Sequence, residues 1–518
     1  MFTKWPTSLL SEVARLMQNF IWSGICTQQK LCTVSWSKVC QPKEIGGLAV
    51  RDPAKVNRAS LLFLTWQLLT SNEQWAQICR TRFLNKHKPK AHYLTSSVWT
   101  GMKPHILYIL NHATWSVGNG KQISFWSDKW LDHSIADHWN IPSHLLPDME
   151  LAVEHFIVNG RWCLPPYIHQ KDPELAAKIS KITLHKDDIP DTLPWNLSPD
   201  GCLTQKIAFS CLFGNGQQVN WAKFLWNSFI PPTRSFITWR ILFDKLPTDD
   251  NLRKRGCCIV SICCFCRRHA ETSSHIFFEC AVTAILRSWL SKGTDIPLDL
   301  TSCNNLILNS MGRGSTLVQQ ILNSAIIHTI WAIWIERNQR CFHNKHQSMA
   351  TLFNCILAEV KLGYKLILAK GNFDMQDYKI SRLFNIPFKT KRATAKHDVH
   401  WCPPPTDVIK FNYDGSSIGA HPCGAIGIVI RRSSSSFLGA ISSNIGNATT
   451  LEAEFSACML AIEKAREMHF KAICLESDSI RVVHAYNKNV GVPWKMKARW
   501  YNCMKFCHNI ICSCHHEL

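Results

Sequence analysis

The chain has 518 residues, too many for one hydrophobic core, and its 46% hydrophobic against 18% charged composition excludes global disorder. Its 58 Lys and Arg against 37 Asp and Glu leave a formal charge of +21, which suits a polyanion partner without separating DNA, RNA and acidic membrane. The 24 cysteines follow no disulfide framework and the start, MFTKWPTSLL, lacks a charged-then-apolar signal, so the expectation is an intracellular protein of nucleus or cytoplasm, not secreted, with most thiols reduced.

In chain order, Leu9, Val13, Leu16, Met17 and Phe20 recur at three-to-four spacing and predict an amphipathic helix over 7–22. A second apolar helix is expected from Ala54 to Leu69, and Trp115–Trp130, with its Gly-Asn-Gly turn and alternating Ile123 and Phe125, reads as a hairpin. These make a first region, 1–139, and the Pro-rich, aperiodic 140–220 reads as a loose connection. Helices are expected around a Cys/His motif in 221–300, then in 301–382 with a long one over Ile321–Cys341. That stretch is interrupted by Asn323, Ser324, His328 and Thr329, so no membrane span or membrane partner is expected. The basic, Pro-rich 383–405 reads as a linker, and strands dominate 406–518.

The spacing Cys263-x2-Cys266-x8-His275-x4-Cys280 offers three thiolates and an imidazole to one tetrahedral ion. Zinc accepts that set without redox chemistry, and four protein ligands leave no open position, so the site is structural. Cys264 could replace Cys263 only by shortening the turn.

Three acids of the C-terminal region stand where chemistry would favour them. VIKFNY alternates and ends in Asp414-Gly415-Ser416; Gly424–Arg432 and Ser436–Ile441 complete an antiparallel meander. A helix over Thr450–Met468, capped by Thr449 or Thr450, precedes a fourth strand, Ala472–Glu476, closed by Asp478, and Asn509–Cys514 makes a fifth. Glu452 and Glu454 flank the helix's apolar stripe, and periodicity does not choose between them. Converging carboxylates need hard cations to offset their repulsion, and two Mg²⁺ ions would serve phosphodiester cleavage.

At IKFNYDGSS, LEAEFSACMLAIEKA and CLESDS the chain resembles the ribonuclease H superfamily, in the form that ends plant non-LTR (LINE-type) retroelement polyproteins. LPTDDNLRKRG through SSHIFFEC resembles the zinc-binding region that follows reverse transcriptase there, and FIWSG, VSWSKVCQPKEIGGLAVRD and NGKQISFWSDKWL resemble the segment just past the polymerase. The resemblance implies a multidomain chain: mainly helical N-terminal and zinc-binding regions, then an α/β ribonuclease H-like domain with a mixed five-stranded sheet, truncated before the last helix. It selects Glu454 over Glu452, so Asp414, Glu454 and Asp478 would hold catalytic Mg²⁺, and Cys263, Cys266, His275 and Cys280 structural Zn²⁺. The implied substrate is the RNA strand of an RNA–DNA hybrid. No Tyr-x-Asp-Asp polymerase motif is present, so no polymerase activity is expected. His515 or His516 stands where the family has a histidine, and the family's fourth carboxylate has no counterpart before the chain stops at CHHEL. The alternative is therefore an inactive nucleic-acid-binding relic.

Lys389–Lys396, Arg253–Arg255, Arg431-Arg432, and Lys495, Lys497 and Arg499 interleaved with Trp494 and Trp500 are the candidate phosphate contacts.

Overall fold

The structure, a computed structural model, describes residues 3–85, 87–90, 96–142, 144–214, 216–298, 301–372, 374–389, 402–419, 423–488 and 491–516. The chain forms two compact units, one of residues 6–55 and 214–396, the other of residues 1–5, 56–213 and 397–518. The region read as 1–139 is thus divided between the two.

The first unit is helical. Its N-terminal helix, Thr7–Ser23, stops at Gly24, whose φ of 80° suits the left-handed stop that glycine adopts without strain. Its core gathers on α1 (Pro232–Leu242), α2 (Ala281–Thr294), α3 (Thr316–His343) and α4 (Met349–Tyr364). Ser315 caps α3 by accepting from the Val318 N–H, and Ser348 caps α4 by accepting from Thr351. Helix α3 is long and apolar enough to cross a membrane by length and composition, but 67% of that apolar window is buried inside the protein. Its apolar residues go all round because neighbours surround it.

The second unit departs from the sequence expectation over 115–213. No hairpin forms across Trp115–Trp130; Ser116 bridges to Thr192 and Ser124 to Ala152 instead. The Gly-Asn-Gly turn is held by Asp191, which accepts from Gly118 (2.7 Å), Gly120 (2.9 Å) and Gln122 (2.9 Å) backbone N–H groups. Nor is 140–220 a loose connection. Pro166 and Pro173 each begin a short helix, Pro166–Lys171 and Pro173–Ser180, where a missing N–H costs nothing. Leu175, Ile179, Leu193 and Trp195 then join Phe125, Trp130 and Phe156 in one core.

The C-terminal part of this unit is α/β. Strands β1 (Ile409–Ile418), β2 (Cys423–Arg431) and β3 (Phe437–Asn447) form an antiparallel meander. Helix α5 (Thr450–Glu467) crosses back to β4 (Ala472–Ser477), parallel to β1, and α6 (Ile480–Lys488) and α7 (Lys497–Cys507) lead to β5 (Ile511–His516), parallel to β4. The sheet order is β3-β2-β1-β4-β5. Phe411, Tyr413, Ile428, Phe455, Met459, Ile462 and Leu475 fill the space between sheet and helices. Strand β1 does not end at Asp414: Ser416 and Ser417 still pair with Ala425 and Gly424, so the acid sits mid-strand.

Candidate active site and zinc centre

The parallel register places two of the three acids. Asn412 pairs with Glu476; Asp414 stands two residues further along β1, and Asp478 lies just past the end of β4 at Ser477. The third comes from α5. A side chain at Gly415 would put its Cβ 2.3 Å from the backbone of Ala453 and Glu454, so the missing side chain lets the first turn of α5 lie directly on β1. The resulting cluster of Asp414, Glu454 and Asp478 has one ligand atom from each residue within 4.8 Å of the others.

Glu452 is used otherwise. It closes a capping box, its Oε2 accepting from the Thr449 N–H at 2.9 Å while the Thr449 hydroxyl accepts from the Glu452 N–H. Glu476 in β4 is occupied too, 2.7 Å from the buried Lys410 ammonium and 2.7 Å from the Asn412 amide.

Burial raises the Glu454 carboxyl to about 7, with the charges of Asp414 and Asp478 pushing the same way and the Gly415 N–H opposing them. Its Oε2 is buried and has no hydrogen-bond partner. A half-buried, unsatisfied carboxylate facing two exposed ones is an oxygen donor set that fits a hard divalent cation such as Mg²⁺. His516 lies beside it, its Nε2 3.0 Å from the Asp478 carbonyl oxygen.

The four zinc ligands expected from sequence also converge, with all ligand atoms within 4.8 Å of one another. Cys263 and Cys280 sulfurs are 4.0 Å apart, and Cys266 Sγ is 3.3 Å from His275 Nε2. A π-helical turn, His275–Glu279, spaces His275 and Cys280. Burial pushes the Cys263 thiol up to about 12. Partial desolvation pushes the half-buried Cys266 thiol up as well, but His269, the Arg268 N–H and His275 draw it down to about 5. Three sulfurs and an imidazole at these separations fit tetrahedral Zn²⁺. Cys264 faces away, grouped with Glu271 and Cys341. His269, not singled out in the sequence, stands 3.9 Å from Cys266 Sγ; its place in Cys266-x2-His269 was the available signal.

Of the candidate phosphate contacts, several are engaged within the chain. Arg499 pairs with Glu463 at 2.7 Å, Lys497 donates to the Asp200 carbonyl, and Trp500 is buried against Phe455. These residues belong to α7, which packs its outer face on 184–201: Asp187 meets Tyr501 (2.8 Å) and Lys505 (2.5 Å), and Asn502 donates to the Leu184 carbonyl. Arg253 donates to the Ile259 carbonyl and Arg255 to Cys32 and Thr33, while Lys254 pairs with Asp244 and Asp250. Arg431 donates to Asn412. Of the run Lys389–Lys396, all but Lys389 lies outside the described residues.

A five-stranded mixed sheet in this order, with a carboxylate from β1, one from α5 and one after β4, defines the C-terminal part as a ribonuclease H-like α/β domain. Comparison with known proteins agrees with the retroelement resemblance on both segments. Residues 204–286 match the family described as zinc-binding in reverse transcriptase, and residues 412–514 the family described as reverse transcriptase-like. An Arabidopsis thaliana protein provisionally named as a ribonuclease H is 23% identical over 499 residues, covering 92% of this chain and 77% of that one. Among solved structures, RNase H1 of Halobacterium salinarum is 22% identical, covering 21% of this chain and 84% of that chain with a TM-score of 0.20. An RNase H1 isolated from compost is 21% identical, covering 22% and 85% with a TM-score of 0.20.

Proposed function

We propose that the C-terminal domain is a Mg²⁺-dependent endoribonuclease that cleaves the RNA strand of RNA–DNA hybrids, carried in a retroelement-derived chain behind a structural zinc module. The observation that carries this reading is the convergence of Asp414, Glu454 and Asp478 from three separate elements. Asp414 and Asp478 are exposed and present oxygens to solvent, while Glu454, raised to about 7, is partly protonated near neutral pH and would lose that proton to a bound cation. Bound there by these three side chains, Mg²⁺ ions would supply an activated water and offset charge on the leaving oxygen. The chain's own contribution is to fix the carboxylates: β1 and β4 by their ladder, Glu454 by the close approach of α5 at Gly415. The basic composition supports a nucleic-acid partner, and the similarity to ribonuclease H proteins supports the substrate class. Cysteine usage supports a place inside the cell, in nucleus or cytoplasm.

Cysteine and histidine at 263, 266, 275 and 280 would hold zinc in a closed site with no catalytic role. The test is a hybrid labelled in turn on its RNA and its DNA strand, incubated with the full chain with and without Mg²⁺. The reading expects cuts in RNA alone, dependent on Mg²⁺ and abolished in Asp414→Asn. Binding of the hybrid without cleavage by either protein would leave a nucleic-acid-binding relic and overturn the enzyme.

A further inference from the structure

Within the unit that contains the ribonuclease H-like domain, residues 114–202, parts of 66–87, and 494–499 before and at the start of α7 line a groove whose walls do not include the carboxylates. One cavity of about 1180 Å³ is lined by the cations Lys129, Lys178, Lys181, Lys495 and Arg499 with Trp494, against three acids, Asp132, Asp172 and Glu174. A second, of about 960 Å³, takes in His87, Lys121, His185, Trp494 and Lys497, with Glu150, Asp191 and Asp200 offsetting its cations, so the net positive charge lies in the first. Both are lined by Trp115, Ser116 and Trp494, so they meet and run on as one. Together they exceed the roughly 300–1,000 Å³ of a small-molecule pocket.

Three features of the groove point to its occupant. Lys178, Lys181 and Lys495 are exposed along it, and none has an ion pair among the described residues. The half-buried Trp494 indole, its backbone N–H held by the Pro199 carbonyl at 3.0 Å, stands where the cavities meet. Trp115, 5% exposed, lines both halves with an indole N–H that has no acceptor. Two joined cavities with exposed ammonium groups in one half, an aromatic side chain where they meet and a buried unpaired donor suit a chain of phosphates carrying stackable rings.

We propose that this groove binds a single strand of nucleic acid, with phosphates against Lys178, Lys181 and Lys495, a base on Trp494 and an oxygen acceptor on Trp115 Nε1. The groove is separate from the carboxylate cluster, and the proposal stands whether or not that cluster cleaves. It also gives residues 114–201 a role: they complete, with α7, a binding surface that the ribonuclease H-like domain alone does not possess.

The test measures fluorescence anisotropy of a labelled oligothymidylate of about 20 nucleotides with the full chain, Mg²⁺ omitted, across a salt series. K178A/K181A/K495A, all on exposed side chains, is expected to weaken binding at least about tenfold and to flatten the log–log salt slope by about 2, three lost phosphate contacts at about 0.7 each. Trp494→Ala is expected to weaken binding with the salt slope unchanged, because stacking releases no counterions. Photocrosslinks from 5-iododeoxyuridine should fall on the peptide that contains Trp494. Unchanged affinity and slope in the triple variant, crosslinks confined to other peptides, or displacement of the oligonucleotide by an acidic peptide of equal charge would overturn the proposal. The last result would assign the groove to an acidic protein partner. Loss of hybrid cleavage on Asp414→Asn with single-strand binding intact keeps this test distinct from that of the nuclease.

Discussion

Lowering the pH should weaken Mg²⁺ binding at the carboxylate cluster through one residue, Glu454. Its carboxyl is raised from 4.5 to about 7, first by burial and then by Asp414 and Asp478. A raised carboxyl contributes most to the stability of the metal-free fold below its unfolded value, and that contribution is lost as pH climbs from about 4.5 through 7. A cation needs the ionised form, so below pH 7 it must displace a proton. For a single group at pH 7, moving from pH 8 to pH 6 reduces the ionised fraction about tenfold, and the apparent Mg²⁺ affinity falls by the same factor. Calorimetric titration with Mg²⁺ at pH 6, 7 and 8, in two buffers of different ionisation enthalpy, reads both the affinity and the protons released. Glu454→Gln should bind more weakly and lose the pH dependence over this range. Affinity that stays flat from pH 6 to 8, with no proton release, would refute the assignment of Glu454 as a cation ligand held partly protonated.

Other expectations follow from single contacts. Gly415→Ala would drive a Cβ into the backbone of Ala453 and Glu454 and should cost about 3 kcal/mol in urea denaturation, together with hybrid cleavage. Arg337→Met should cost about 3–5 kcal/mol, because it strands the buried Glu271 carboxylate that Arg337 holds at 2.5 Å; adding Glu271→Gln should recover much of that loss. Cys280→Ser should reduce bound zinc, measured by plasma emission, from about one ion per chain toward none, whereas Cys264→Ser should leave it unchanged.

Much of the C-terminal domain was legible because β1 and β2 alternate in burial and the first three strands form a meander of sequence neighbours. The periods of VIKFNY and Ala472–Glu476 located β1 and β4; their parallel pairing runs to Asn412 and Glu476, and Asp414 and Asp478 follow within two residues and meet in one cluster. What periodicity left open between Glu452 and Glu454 is decided by capping: Thr449 needs a partner three residues on, and Glu452 supplies it. The extent of β1 past Asp414 was not legible, because the apolar alternation of VIKFNY stops at Tyr413 and Gly415, Ser416 and Ser417 carry no apolar period, while their backbone pairs with β2.

The segment 115–213 was misread for a different reason. Its core is built from aromatic side chains on irregular backbone: Trp115, Trp130 and Trp195 carry no helical or strand period, and the alternation of Ile123 and Phe125 reflects a single bridge of Ser124 to Ala152 and not a hairpin. Its turn is closed by Asp191, some seventy residues away in sequence from the N–H groups it holds at 2.7–2.9 Å. Long-range satisfaction of backbone donors leaves no local signature. The lysines and tryptophans of 494–500 show the same limit: composition suggested a solvent-facing nucleic-acid contact, and part of that set is spent on Glu463, Asp200 and the core.

The measurement that tests the central claim most directly is single-turnover cleavage of an RNA–DNA hybrid in Mg²⁺ by the full chain and four variants. Asp414→Asn, Glu454→Gln and Asp478→Asn should each slow cleavage by at least about 100-fold, the order expected for loss of a preorganised catalytic group. Glu452→Gln, which preserves the capping box, should stay within a few-fold of the parent. A parent that leaves the hybrid intact, or a Glu452 variant as impaired as the other three, would contradict the account.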